Sequence, residues 1–212
     1  MGIANSGLFG GHTGKIGDLV FYELNGKTVV RSIGKSQKPP TENQQRAKTD
    51  MKIVSATIKT LRPFIELGFS TMIGKTGMNT HNLAVQYNIK NIIKGTYPNQ
   101  EIAYDKLLVS KGVLKPAQNC VVTQTADTLQ FSWDTNSQMP WPESTDQVMM
   151  MAYFPASKKI AYALYGNSRL SGNDVLVIPD SLRGEYMETY VSFITADRKE
   201  VADSIYTGSF NT

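Results

Sequence analysis

The chain reads as an α+β protein, mainly β: a β-hairpin and two helices, followed by a seven-stranded β-sandwich. Three observations predict this. Two strand-like runs flank the turn dipeptide Asn25-Gly26. Apolar residues recur at helical spacing after a capping pattern that begins at Thr41. From Ala117 onward, short alternating runs succeed one another at regular spacing, separated by turn residues. With 212 residues, 41% hydrophobic and 19% charged, the chain can bury a sizeable core. It divides into a glycine-rich arm and hairpin over 1–36, a helical segment over 37–100, a strand and connector over 101–116, and the sandwich over 117–212.

The hairpin pairs Asp18–Leu24 with Lys27–Ser32, both rich in β-branched and aromatic residues. Asn25 and Gly26 accept the positive φ of a type I′ turn, and a two-residue loop fixes the register. Leu24 then faces Lys27, Tyr22 faces Val29, Val20 faces Arg31 and, on the other side, Phe21 meets Val30. Both faces carry large apolar groups, so the hairpin needs a cover. Either the helices that follow or another subunit supplies it.

Upstream, Gly7, Gly10, Gly11, Gly14 and Gly17 suggest a loop or extended arm that orders against a partner. A phosphate-cradling loop requires G-x-x-x-x-G-K-[ST]. Gly14-Lys15, Gly26-Lys27-Thr28 and Gly74-Lys75-Thr76 all fail it: Phe9 and Phe21 occupy the first glycine position of two, and Gly68 comes one residue early for the third.

Thr41-Glu-Asn-Gln44 matches a capping box, and a helix is expected from Glu42 to about Leu61. Ala47, Met51, Val54, Ile58 and Leu61 form its apolar stripe; Arg46, Lys48, Lys52, Lys59 and Arg62 form a basic face. Pro63 ends or kinks it, and Phe64–Gly68 adds a turn. A second helix is expected from about His81 to Lys94, capped by Asn79 or Thr80 and stopped at Gly95. Ile102–Val109 reads as a strand. The sandwich strands are expected at 120–124, 128–133, 147–154, 159–165, 174–178, 188–195 and 200–209, with Leu129, Phe131 and Trp133 facing inward.

Charge is unevenly spread. Residues 1–116 carry 16 Lys/Arg against 7 Asp/Glu, a balance of +9, while 117–212 carry 6 against 11, a balance of −5; together they recover the net +4. The basic half could face nucleic acid, with Arg46, Lys48, Lys52, Lys59 and Arg62 on the backbone. Alternatively, the basic half of one copy could meet the acidic half of the next, in a ring or filament. Solvated faces account for the same pattern.

Candidate chemistry is sparse. His12 and His81 have no metal spacing, so no metal and no cofactor is expected. The single Cys120 allows no internal disulfide. Met149-Met-Met151 reads as core filler. Trp141, between Pro140 and Pro142, is a candidate contact for a protein or sugar. Asp127, Asp134, Glu143 and Asp146 are expected to crowd one end of the sandwich, without calcium-ligand spacing. Met1–Phe9 has neither the basic start nor the apolar run of a leader, and no stretch has the length to cross a membrane. Cytoplasmic synthesis is expected, with the protein in a particle or an extracellular assembly.

Trp133, Leu176-Val-Ile-Pro179 and Tyr190-Val-Ser-Phe-Ile-Thr-Ala196 give the C-terminal region a resemblance to fibronectin-type-III and immunoglobulin-like sandwiches, the former favoured because a disulfide pair is missing. The whole chain resembles a family of uncharacterised proteins known mainly from Bacteroidota. The matching stretches are Gly14–Gly17, Val20–Arg31, Thr41–Arg46, Tyr104 through Gly112, Trp133-Asp134 and Ser204–Gly208. The resemblance implies no activity and transfers no catalytic residue.

The expectation is therefore a non-enzymatic structural or interaction protein, a homo-oligomer forming a ring, a fibre or a phage-like particle component. Its assembly surface would comprise Gly14, Gly17, Val20, Phe21, Tyr22, Asn25, Gly26, Val29, Val30 and Arg31. Nucleic-acid binding by the basic half, and protein or carbohydrate binding through the sandwich loops, are the alternatives.

Overall fold

A computed structural model describes residues 2–4, 11–34, 38–73, 77–141 and 143–211. Gly7, Gly10, the Gly74-Lys75-Thr76 triplet and Pro142 lie outside the described residues. The chain divides into two units, 1–42 and 43–212.

The first unit is a four-stranded antiparallel meander, β1 (Gly2–Ala4), β2 (His12–Ile16), β3 (Leu19–Leu24) and β4 (Lys27–Ser32), paired in chain order. Asn25 (φ 50°) and Gly26 (φ 74°) both take positive φ, as the type I′ turn demands. The register that follows is Leu24 with Lys27, Tyr22 with Val29, Phe21 with Val30 and Val20 with Arg31. The glycine-rich segment is not the expected loop: residues 12–16 form a strand. Gly17 (φ 58°) opens a second two-residue turn, of the Gly-X kind, joining Ile16 to Leu19. Glycine spacing suggested a loop, but these glycines serve a ladder. Gly14, at φ 97°, sits inside β2 opposite Phe21.

In the second unit, α1 (Glu42–Thr60) is broken at Leu61, and α2 (Arg62–Gly68) carries Pro63 in its first turn, where proline costs no hydrogen bond. Of the predicted stripe, Val54, Ile58 and Leu61 are buried, whereas Ala47 and Met51 are exposed, so only the C-terminal half of α1 faces the core. α3 (Thr80–Asn88) is capped by the Asn79 side chain, which accepts from the Asn82 amide at 2.8 Å. It stops six residues before the expected Lys94. The buried Asn88 side chain donates to Ala84 O and Leu108 O and accepts from the Leu108 amide, each at 2.8 Å, so a crossing chain docks at the helix end.

That crossing chain is the segment read as the strand Ile102–Val109. Only Glu101–Ile102 (β6) pairs, with Ile93–Lys94 (β5), and Tyr104–Lys106 is a 3₁₀ turn. The reason lies in its amides: Leu108 N–H goes to Asn88 Oδ1, and the Val109 and Ser110 amides go to Ser204 Oγ. Side chains have taken the donors a ladder would use.

Each expected sandwich run contains a strand. β9 (Gln147–Phe154), β10 (Lys159–Ala163), β12 (Met187–Ile194) and β13 (Ile205–Phe210) form one antiparallel sheet in the order β10-β9-β12-β13. β7 (Val121–Gln124), β8 (Thr128–Ser132) and β11 (Asn173–Val177) form the other, in the order β11-β8-β7. β13 begins later than expected, because Val201 and Ala202 are spent on single bridges to Ile194 and Leu114.

The four-stranded sheet is a middle layer. Val148, Met150, Ala152, Phe154, Val191 and Phe193 share a core with Leu129, Phe131 and Trp133 of the opposing sheet. The alternate residues Met149, Met151, Tyr153, Tyr190 and Ile194 share a second core with Ile58, Leu61, Phe64 and Leu83 of the helices. The period of two thus sends each half of β9 to a different partner. The methionine triplet is fully buried.

Candidate assembly surface and partner contacts

Alternation along the paired strands sorts the meander into two faces. One carries Ile16, Leu19, Phe21 and Val30, with His12 packed edge-on against Phe21 at 5.8 Å. The other carries Val20, Tyr22, Leu24 and Val29 among Lys15, Lys27 and Arg31. The apolar groups are not sequestered: Leu24 is 54% exposed, Val30 48%, Ile16 45% and Leu19 42%. The two faces differ in what burying them would cost. The Phe21 face has one charged strand residue, Glu23, while the Tyr22 face has three exposed cations, and desolvating unpaired charge is unfavourable. Gly17, Asn25 and Gly26 set the turns that hold these faces in register.

The basic residues of α1 do not make one face. At about 3.6 residues per turn, Lys48, Lys52 and Lys59 fall together and Arg46 points nearly the opposite way. Arg46 pairs with Asp50 at 3.9 Å, and Arg62 with Glu66 at 2.7 Å. Among the described residues the three lysines form no ion pair, and all are exposed.

Trp141 is 80% exposed. It borders a cleft of about 400 Å³ shared with Thr145, Asp197 and Lys199. The Thr195 hydroxyl and then the Lys199 amide hold the Asp197 carboxyl below its usual range. Three of the four acids gather as expected, Asp134 and Glu143 lining one cleft and Glu143 close enough to Asp146 to raise its carboxyl, while Asp127 stands apart. Asp127 lies before β8 and Asp134 after it, at opposite ends of the strand. Each has its own partner: Asp127 with Arg183 at 3.4 Å, Asp134 with Asn119 at 2.5 Å, Glu143 with Lys115 at 3.2 Å and Asp146 with Arg169 at 3.2 Å. The last pair is buried, and burial pushes the Asp146 carboxyl up against the opposing pull of Arg169. Arg169 also donates to Lys115 O at 2.8 Å and lies over the Phe193 ring at 3.9 Å. Among the described residues, no three His, Cys, Asp or Glu side chains are grouped as a metal ion would need. His81 hydrogen-bonds to Ser55 Oγ at 3.1 Å, and burial pushes the Cys120 thiol up to about 11.

One constellation had no signal in the sequence. Glu188, 3% exposed, accepts from Tyr186 Oη on one carboxylate oxygen and from Tyr206 Oη, at 2.7 Å, on the other. The Tyr104 ring packs tilted against Tyr153 at 5.8 Å, the Tyr190 ring tilted against Tyr206 at 5.6 Å, and Tyr190 Oη donates to Tyr104 O at 2.8 Å. Burial, then the hydrogen bond to Glu188, push the Tyr186 and Tyr206 phenols up to about 12. Burial pushes Tyr153 up to about 12 as well. Residues 104, 153, 186 and 206 are too far apart in sequence for any spacing rule to join them.

The model of a family of unknown function, DUF6266, matches residues 11–208, and the chain belongs to that family. No curated protein matches it. Among solved structures, a β-sandwich protein from a computer-based redesign is similar over 47% of this chain and 96% of its own, at 14% identity and a TM-score of 0.30.

Proposed function

We propose that this member of the family is a non-enzymatic structural or interaction protein that self-assembles through its N-terminal meander and displays its β-sandwich. The observation that carries the reading is the face where Ile16, Leu19 and Val30 lie exposed around a half-buried Phe21: a sheet face this apolar and this poor in charge is stabilised by being covered. A second copy supplies the same surface, and the opposed charges of the two halves favour contacts between unlike ends. The sandwich is of the fibronectin kind in this reading. Its fourth strand, β10, pairs with β9 instead of joining the β11-β8-β7 sheet, which departs from the constant-type immunoglobulin arrangement.

Light scattering on the eluting full-length protein tests this against a chain lacking residues 1–36. The expected result is a defined oligomer that becomes a monomer on truncation. The same number of subunits in both would overturn the assembly reading. A nucleic-acid reading has its own support in the exposed lysine face of α1, which forms no ion pair among the described residues, and a binding-module reading in the exposed Trp141.

A further inference from the structure

The tyrosine cluster opens onto a cleft of about 480 Å³ in the second unit, lined by Tyr104, Tyr186, Glu188 and Tyr206, with Ile53 and Ile102 as its apolar wall. Three features of this cleft point the same way.

The first is charge. Glu188 is almost wholly buried, yet among the described residues it has no cationic partner: both its hydrogen bonds come from neutral phenols. A buried carboxylate without a counter-charge is costly. Glu101 and Asp105 also line the cleft, against Lys94 alone, and Lys94 is engaged by Glu101 at 3.5 Å. The cleft is therefore short of positive charge.

The second is hydrogen-bonding capacity. A carboxylate has about four acceptor positions, and the two phenols use two. Gln100, which also lines the cleft, carries a buried Oε1 without a hydrogen-bond partner, while its amide nitrogen serves Asp50. Buried acceptors left open are rare in folded proteins. Donors are what this cleft lacks.

The third is the wall. Tyrosine rings attract cations through their π faces, and Ile53 and Ile102 offer surface to an alkyl chain.

We propose that this cleft binds a primary alkylammonium group, the –NH₃⁺ donating to Glu188 and Gln100 and the alkyl stem packing on Ile53 and Ile102. A primary ammonium meets all three needs: charge, N–H donors and an apolar stem. A quaternary ammonium has the charge without the donors, and an alcohol has the stem without the charge. The group is carried by a free amine or by a lysine side chain, including one from a second copy of this chain.

The probe is n-butylammonium, titrated into the full chain while the tyrosine ring resonances are followed by NMR. The expected result is a saturable shift confined to Tyr104, Tyr186 and Tyr206, at least ten-fold weaker for tetramethylammonium and for n-butanol. Glu188→Gln keeps the shape and removes the charge; its one oxygen still accepts from a phenol while the other phenol turns to accept from the new NH2, and the change is expected to weaken binding at least ten-fold. Should that variant not fold, Gln100→Leu removes the second acceptor at a half-exposed position and is expected to weaken binding several-fold. Equal responses to butanol and butylammonium, or no saturable response in the native chain, would overturn the proposal. Native mass measured with and without butylammonium separates the sources: a fall in mass assigns the site to a lysine of a second copy, and a constant mass assigns it to an amine from outside the assembly.

Discussion

Strands β9 and β12 bury fifteen of their sixteen residues, whereas β3 and β4 bury none of their twelve. Both pairs carry apolar side chains on both faces. A strand of that kind is stable as the middle of three layers, and β9 and β12 occupy such a place, with helices on one face and the β11-β8-β7 sheet on the other. The meander has extended sideways to four strands, which satisfies backbone donors but adds no layer. A two-faced apolar pattern therefore marks either the centre of a body or a surface awaiting a partner, and the residues of the strand itself do not say which.

Truncating one aromatic ring in each region should break the symmetry between them. Phe193 is fully buried, edge-on to Trp133 at 5.4 Å and beneath Arg169. Phe193→Ala should destabilise the second unit by about 3–5 kcal/mol, read as a lower denaturant midpoint with oligomer mass unchanged at low denaturant. Phe21→Ala should do the reverse: little change in that midpoint, and loss of the assembly. If Phe21→Ala lowers the midpoint as far as Phe193→Ala, the meander is part of a core and not an interface.

The sequence was most legible where a local rule governs the backbone. Asn25-Gly26 determined turn and register, Pro63 determined the helix break, and alternation located the strands of the sandwich. It was least legible where side chains from distant segments decide. Asn88 ends α3 and Ser204 removes the amides of 109–110 from any ladder, and neither residue type at its own position announces that. The β2 strand was hidden because glycine reads as loop, although Gly17-Asp18 is as good a hairpin signal as Asn25-Gly26. Of the site residues, the meander's pairings were readable and the Glu188–tyrosine cluster was not, since its members lie on four separate segments.

A buried charge sharpens the contrast further, because the second unit holds a buried ion pair. Asp146 and Arg169 are 2% and 4% exposed. Asp146→Asn leaves the guanidinium buried with a neutral neighbour and should cost about 3 kcal/mol, measured by urea unfolding. Glu23→Gln in the meander, where the side chain is exposed, should stay within about 0.5 kcal/mol. A small effect at Asp146 would mean that water reaches the pair.

Alkaline pH tests the same region by another route. In an unfolded chain tyrosine loses its proton near about pH 10. In the folded protein Tyr153, Tyr186 and Tyr206 hold theirs to about 12. A phenol raised in the folded state contributes stability that is whole below the unfolded value and is lost as pH rises through the folded one. Stability should therefore fall between about pH 10 and 12, with tyrosinate absorbance appearing in two waves, the later one coinciding with unfolding. A single wave centred at the ordinary value would show that these phenols are solvated.

The smallest expected effect concerns the lysines of α1. Lys48, Lys52 and Lys59 are exposed and unpaired among the described residues, so replacing all three with Gln should change stability by no more than about 0.5 kcal/mol each. If α1 binds nucleic acid, the same change removes three phosphate contacts and should flatten the slope of log affinity against log salt by about 2 to 3. An assembly held by the apolar face of the meander responds differently: raising salt leaves its mass unchanged or strengthens it, since burial of apolar surface is not screened. The triple variant measured at two salt concentrations therefore separates the basic half as a polyanion-binding surface from the basic half as a solvated flank of an assembling chain.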